Sequence, residues 1–210
     1  MEDKNYLEDI TEIKKMMNKS SRFISLSGLS GILAGVYALI GGVIGINILN
    51  TIKIHKPKMD RNYYTSTANQ IETKLILIAL SVIILSIITG IILSYLKAKK
   101  IEEKLWDSSS KRLLINFGIP LITGGILIMI LLEKNLYSMI APTTLLFYGM
   151  SCVNASKYTL GDVRYLGITL IILGLFSAKY IGFGVYFWMI GFGICHILYG
   201  SLMYFKYDRK

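Results

Sequence analysis

The chain has 210 residues, a formal net charge of +10 and a hydrophobic share of 53%, and its mean hydropathy is +0.54. These values are typical of an integral membrane protein and leave no room for a second globular domain. The two cysteines, Cys152 and Cys195, lie within apolar stretches and offer neither a disulfide framework nor a metal-binding spacing.

Residues 1–22 predict a cytoplasmic amphipathic helix over 3–20. Three interpretations stay open: an interfacial helix that lies on the membrane and leads into the first span, a docking helix for a cytoplasmic partner protein, or a frayed tail. The opening residues are too acidic and polar for a signal peptide, so the first span is expected to act as the insertion signal. The apolar positions on one face of this helix are Tyr6, Ile10, Ile13 and Met17.

Six stretches between residues 23 and 205 contain no Asp, Glu, Lys or Arg. A helix needs about 17–25 such residues to cross a bilayer core of roughly 30 Å, and a helix satisfies its own backbone hydrogen bonds in lipid. We therefore predict an all-α fold, a polytopic bundle of six transmembrane helices followed by a cytoplasmic tail at 206–210. The stretches are 23–49, 76–96, 113–132, 139–156, 165–178 and 183–205.

The first span carries three small residues, Ser27, Gly31 and Gly35, at intervals of four. This spacing predicts a helix-packing face that lets another backbone approach closely. A path for a small solute along the same face is the alternative.

Segment 50–75 is expected to be a solvated loop with Pro57 as its breaker. The second helix is expected to continue inward as far as Trp106. Asp107 or Ser108 is the expected cap of the third helix.

Two prolines lie in the third and fourth spans. Pro120 has no N–H, so the carbonyl group of Asn116 loses its usual partner and a kink is predicted at these two residues. Pro142 lies in the first turn of the fourth span, where the missing donor costs little.

The fifth stretch, with 14 residues, is short for a crossing helix. It can cross if Arg164 and Lys179 extend their charged ends to opposite surfaces. A re-entrant hairpin is the alternative.

The distribution of Lys and Arg predicts that both termini are cytoplasmic. Sixteen basic residues would lie inside and seven outside, as the positive-inside rule requires. The inside segments 1–22, 97–112, 157–164 and 206–210 carry 5, 6, 2 and 3, and the outside segments 50–75, 133–138 and 179–182 carry 5, 1 and 1.

The spans also show a pairwise repeat, which predicts three tandem helical hairpins of the parallel-repeat kind. A Ser-Arg-Gly-Gly pattern before and within the first span recurs at identical offsets in the third, and the fifth span keeps its glycine spacing. The positions are Ser20, Arg22, Gly28 and Gly35, then Ser110, Arg112, Gly118 and Gly125, then Gly167 and Gly174.

The one ionisable side chain within a span is His196, with Gly193 and Gly200 on the same helix face. Intramembrane ionisable groups are functional candidates by default, so His196, Asn154 and Tyr199 form the candidate polar site. The structural interpretation has His196 bonded to a carbonyl group or to Asn154, joining the sixth span to the fourth. Contact with a solute or a proton is the alternative, and a lone histidine is a poor metal site.

A catalytic role is not predicted. Ser151 in the fourth span and His196 in the sixth are reminiscent of the rhomboid family of intramembrane serine proteases. However, Cys152 replaces the second glycine of that family's Gly-x-Ser-Gly motif, and its oxyanion motif is missing from the second span. The spans also carry no Asp or Glu that could bind a coupling cation.

Three segments resemble an uncharacterised family of six-pass inner-membrane proteins from flavobacteria and related Gram-negative bacteria. They are SSRFISLSGLSG at 20–31, VNASKYTL at 153–160 and YGSLMYFKY at 199–207. The resemblance extends over residues 8–207 and implies a bacterial inner membrane, with no activity attached.

The leading functional hypothesis is a non-enzymatic membrane component, without a cofactor, that acts through contacts with a partner protein or with itself. Its support is the amphipathic segment 3–20, the small-residue faces and the lack of a catalytic constellation. The alternative is a small-solute transporter or channel whose route passes His196 and Asn154. No nucleic-acid partner is expected, because loop positions explain the positive charge.

Overall fold

The computed structural model describes residue 23 and residues 25–55, 61–102 and 106–209, without the side chains of 51–55 and 61–69. The predicted amphipathic helix at 3–20 lies outside the described residues. The described part is all-helical and contains no strand. Its helices are α1 (Gly28–His55), α2 (Arg61–Lys100), α3 (Ser108–Glu133), α4 (Ile140–Ala155), α5 (Val163–Lys179) and α6 (Gly184–Asp208).

Four of these helices are long and apolar enough to cross a membrane by length and composition. They do so over Gly28–Asn50, Gln70–Lys100, Ser108–Glu133 and Gly184–Asp208. The other two, α4 and α5, have 16 and 17 residues, and 17 residues rise only about 25 Å along a helix axis. Four apolar helices of this kind indicate a membrane protein, while the crossing of α4 and α5 stays a prediction.

Helices α1 and α2 extend well beyond the apolar stretches from which they were predicted. The expected loop at 50–75 is wrong for the described residues, because α1 runs to His55 and α2 begins at Arg61; the predicted breaker Pro57 lies outside the described residues. The N-terminal half of α2 is held by contacts that the sequence pattern did not indicate: Ile71 is buried, and Glu72 accepts a hydrogen bond from the hydroxyl group of Tyr137 at 2.8 Å.

The other end of α2 also differs from expectation. The helix stops at Lys100 rather than at Trp106, and Glu102 adopts a left-handed conformation with φ of 54°, which a continuing helix does not allow. The predicted cap of α3 is confirmed: Asp107 accepts from the backbone N–H of Ser110 at 2.7 Å, and the Ser110 hydroxyl oxygen accepts from the N–H of Asp107.

The core lies where α4, α5 and α6 meet. Leu145 of α4 and Leu170 of α5 are fully buried. Gly191 of α6 faces them, and a Cβ atom placed there would lie 2.9 Å from Cδ2 of Leu170. The backbones of α4 and α5 approach each other at Gly149 and Gly167, where an added Cβ atom on either would lie 2.7 Å from the carbonyl oxygen of the other. Glycine is therefore required at this crossing.

Helices α2 and α3 are peripheral. The first packs on α1 and the second on α4, and the described residues of these two chain neighbours form no substantial interface with each other. The most apolar windows of α2 and α3 are 0% and 6% buried. Among the described residues, nothing outside its own turns approaches a Cβ atom placed on Gly90 or Gly125 within 4 Å.

Candidate functional site

His196 lies in the bundle interior with both ring nitrogen atoms bonded. Its Nδ1 atom lies 2.9 Å from the carbonyl oxygen of Gly191, and its Nε2 atom lies 3.1 Å from the hydroxyl oxygen of Tyr148. A carbonyl oxygen only accepts, so Nδ1 carries the proton, and in the neutral ring Nε2 accepts from the hydroxyl group of Tyr148. Cys152 also bonds that hydroxyl group. We call Tyr148, Cys152, Gly191 and His196 the histidine cluster.

The histidine cluster joins α4 to α6 at an irregular stretch of α6. Residues Met189–Cys195 form a π-helical segment, a winding that recurs at functional sites. Aromatic rings close around the imidazole: Phe192 stacks on it at 5.7 Å between centroids, and Tyr148 lies at 5.4 Å. Phe117 of α3 meets Tyr148 edge-on at 5.6 Å. The arrangement resembles a packed junction of three helices around one polar side chain.

Asn154 lies on α4 but bonds α3 rather than His196. Its side-chain Nδ2 atom donates to the carbonyl oxygen of Asn116 at 2.9 Å. That carbonyl group is the one deprived of its helical partner by Pro120, four residues later. The amide of Asn154 therefore satisfies an acceptor that would otherwise be left unpaired in an apolar region, and it ties α4 to α3 at the proline.

Tyr199 lies on α6 and is half-buried. Its hydroxyl oxygen is shielded from solvent and has no hydrogen-bond partner among the described residues. Tyr199 thus differs from His196, whose two ring nitrogen atoms are bonded, and from Asn154, whose amide nitrogen is bonded.

The small residues of the first span meet α6, although Ser27 precedes α1 by one residue. A Cβ atom on Gly35 would lie 2.7 Å from the carbonyl oxygen of Gly193, and one on Gly31 would lie 3.2 Å from the Cα atom of Gly200. The two helices are in backbone contact along this face. A solute route cannot follow the same line in this conformation, since no space separates the backbones.

A second polar cluster lies at the end of the bundle where α1 begins and α6 ends, which we call the terminal face. Asp208, the last residue of α6, accepts from the backbone N–H of Gly28 at 2.8 Å and from the hydroxyl group of Ser27 at 3.3 Å. Its other oxygen atom lies 2.6 Å from Nζ of Lys97, and both side chains are nearly buried. Lys97 also donates to the carbonyl oxygen of Leu26 at 2.8 Å. Asp208 thereby caps α1 and pairs with the end of α2.

The loop between α4 and α5 joins the same face. The backbone N–H of Phe23 donates to the carbonyl oxygen of Tyr158 at 2.8 Å, and the hydroxyl group of Thr159 donates to the carbonyl oxygen of Phe23 at 2.7 Å. Asp162 accepts from Lys206 at 2.7 Å and from the hydroxyl group of Tyr207 at 3.0 Å.

Asp162 is the titratable group of this loop whose charge is most clearly stabilised. The hydrogen bond from Lys206 holds the pKa of its carboxyl group below its usual value; partial burial opposes this shift, and the bond from Tyr207 adds to it. The carboxylate is therefore the form that holds the tether between the loop and α6.

Sequence reasoning did not single out Tyr148, Lys97 or Asp208. Lys97 and Asp208 carry opposite charges near the ends of two helices, and this was a usable signal that they could pair. Whether they do pair depends on which helices meet in the fold. Within the described residues, no group of three or more His, Cys, Asp or Glu side chains could hold a metal ion.

In comparisons with known proteins, no family model, curated protein or solved structure matches the chain. What the fold defines is a class, an all-helical protein with four helices fit to cross a membrane.

Proposed function

We propose that the chain is a six-pass membrane protein that acts without catalysis, through contacts with a partner protein, with residues 3–20 as the docking helix. The observation that carries this proposal is that the described residues just after that segment are hydrogen-bonded to the helix bundle. Phe23 is held by the α4–α5 loop, Leu26 by Lys97 and Gly28 by Asp208. A helix that is rooted on three elements of the bundle can transmit a docking event to them, whereas a freely hinged tail cannot.

The histidine cluster supports the same proposal because its hydrogen bonds argue against the alternative, a site for a transported solute. Both nitrogen atoms of His196 and the amide donor of Asn154 are bonded to groups of the protein itself. Polar groups that are satisfied in this way stabilise helix contacts, and they would have to break a bond before a solute could use them.

Crossing by all six helices, in three tandem hairpins, is part of this proposal. The support is that glycines at equivalent repeat positions mediate two helix contacts, Gly35 against α6 and Gly174 against Leu146 of α4. Their counterpart in α3, Gly125, faces open space, which leaves a matching surface on α3 for a partner or a second copy. The family resemblance supports a bacterial inner membrane, and the distribution of Lys and Arg supports cytoplasmic termini.

The alternative function is a small-solute transporter or channel with its route near His196 and Asn154. The observation that favours it is the buried hydroxyl group of Tyr199, which has no partner in the described part of the chain. A guest molecule between α4 and α6 would supply one.

Complementation separates the two functions in cells that lack the protein and show a measurable defect. The docking proposal predicts that deletion of residues 1–17 fails to restore function, while His196→Ala restores it fully at equal membrane abundance. The deletion leaves residues 23–28 and their contacts intact, so it does not remove the root itself. Restoration by the deletion together with failure of His196→Ala would reject docking in favour of transport.

A further inference from the structure

An open apolar groove lies beside the start of α6 and the turn that joins it to α5, at the end of the bundle opposite the terminal face. Its volume is about 300 Å³, and the surface that lines it is apolar. Four of its five side chains are aromatic, and aromatic side chains collect at the depth of lipid headgroups in membrane proteins. The lining residues are Tyr180, Phe183, Tyr186, Phe187 and Ile190.

A cation lies next to this groove. Lys179 ends α5, is exposed, and has its Nζ atom 5.7 Å from the ring centroid of Tyr180. No carboxylate among the described residues forms an ion pair with Lys179. The groove therefore combines an apolar lining with one positive charge at its edge that no described carboxylate neutralises.

The length of α5 fixes the depth of that charge. Arg164 and Lys179 lie 15 positions apart on the same helix, or about 22 Å along its axis, which is less than a hydrocarbon core of about 30 Å. If α5 crosses, both cations must reach toward the headgroups from within the membrane boundary. A phosphate group is the anion found at that depth.

We propose that this groove binds an anionic phospholipid, with an acyl chain along the aromatic lining and the phosphate group on Lys179. Charge complementarity decides between lipids, because a zwitterionic headgroup has a cation of its own and gains less from Lys179. Attraction of one lysine to anionic lipid at a membrane surface is expected to favour the anionic lipid roughly fivefold.

The test uses the full-length chain with one tryptophan in the groove. Trp106→Phe and Trp188→Phe remove the two native tryptophans, and Phe183→Trp places the reporter in the lining. The protein is reconstituted in phosphatidylcholine vesicles that contain increasing fractions of dibrominated phosphatidylglycerol or of dibrominated phosphatidylcholine. Bromine quenches tryptophan fluorescence only at short range, so the two curves give the relative occupancy of the groove.

We expect a roughly fivefold preference for the anionic lipid, its loss to near unity in Lys179→Gln, and its retention in Lys179→Arg. Lys134→Gln is the matched control, because Lys134 is an exposed cation at the same end of the bundle, after α3, outside the groove lining. Equal quenching by the two lipids in the native-lysine protein would overturn the proposal. A preference that survives Lys179→Gln, or that disappears in Lys134→Gln, would overturn the assignment to Lys179.

Discussion

His196 and its partners show what a polar side chain requires inside an apolar helix bundle. The imidazole ring bonds a backbone carbonyl group through Nδ1 and a hydroxyl group through Nε2, so neither nitrogen atom is left unpaired. Because the acceptor Gly191 is in the same helix and the donor Tyr148 is in α4, the side chain serves as a bridge between α4 and α6.

Tyr148→Phe removes one half of this bridge. The ring volume and the aromatic contacts are kept, so the loss reports on the hydrogen bonds of the hydroxyl group, to Nε2 of His196 and to Cys152. We expect the free energy of unfolding in detergent to fall by about 1 kcal/mol. Tyr186→Phe, an exposed tyrosine on α6, is the control. An unchanged stability for Tyr148→Phe would show that the bond contributes nothing.

Asp208 is expected to matter more than Asp162, although both pair with a lysine. Asp208 is nearly buried and caps α1, whereas the Asp162–Lys206 pair is exposed, and exposed pairs are weak. Asp208→Asn should lower the free energy of unfolding by roughly 2–4 kcal/mol, because it leaves Lys97 buried without its partner. Equal effects of Asp208→Asn and Asp162→Asn on thermal unfolding would contradict this ranking.

The effect of Asp162 should depend on pH in one direction. Its pKa is lowered in the folded protein by the bond from Lys206, so its contribution is fully present above the ordinary aspartate pKa of about 3.9 and is lost as pH falls through the folded value. The difference in melting temperature between the native protein and Asp162→Asn should therefore be constant from neutral pH to about pH 5 and shrink below about pH 4. A difference that grows on acidification would have the wrong sign.

At the scale of elements, the proline in α3 and the asparagine in α4 form a compensating pair. Pro120 removes the donor that the carbonyl group of Asn116 needs, and Asn154 supplies another from the neighbouring helix. The sequence predicted the unpaired carbonyl group, since it follows from the proline ring. It could not predict the partner, because that depends on the rotation of α4 against α3.

Asn154→Ala should cost about 1 kcal/mol of unfolding free energy in the native background. In a Pro120→Ala background the restored N–H can bond the carbonyl oxygen of Asn116 within α3, so the same substitution should cost nearly nothing. The double-mutant cycle measures the difference directly. Additive effects of the two substitutions would show that Asn154 acts elsewhere.

The glycines distinguish helix faces that are covered by another helix from faces that are open. Gly149→Ala would place a Cβ atom 2.7 Å from the carbonyl oxygen of Gly167 and should destabilise the protein by about 2 kcal/mol or more. Gly125→Ala meets open space and should raise the stability of the isolated protein by roughly 0.5 kcal/mol through helix propensity. Comparable destabilisation by both, measured in detergent, would mean that the Gly125 face is also covered.

At the scale of the whole molecule, the composition and the uncharged stretches indicated helices fit for a membrane, and the described residues are helical over each of the six stretches. The sequence underestimated α1 and α2, because a polar helix end that leaves the membrane has no apolar signature.

The terminal face is the other feature that required the fold. It collects Phe23, Lys97, Thr159 and Asp208 from distant parts of the chain. Each looked like an ordinary loop or helix-end residue in isolation. Together they fix the point from which residues 1–22 depart, and the proposed docking role depends on this.

The most direct test of that role is native mass spectrometry of the protein purified gently from its own membrane, as the full-length chain, without residues 1–17, and as His196→Ala. We predict a stoichiometric second protein on the full-length chain and on His196→Ala, and its loss from the truncated chain. A full-length protein that carries no second protein but retains a discrete small molecule, which His196→Ala releases, would contradict the account and assign the protein to transport.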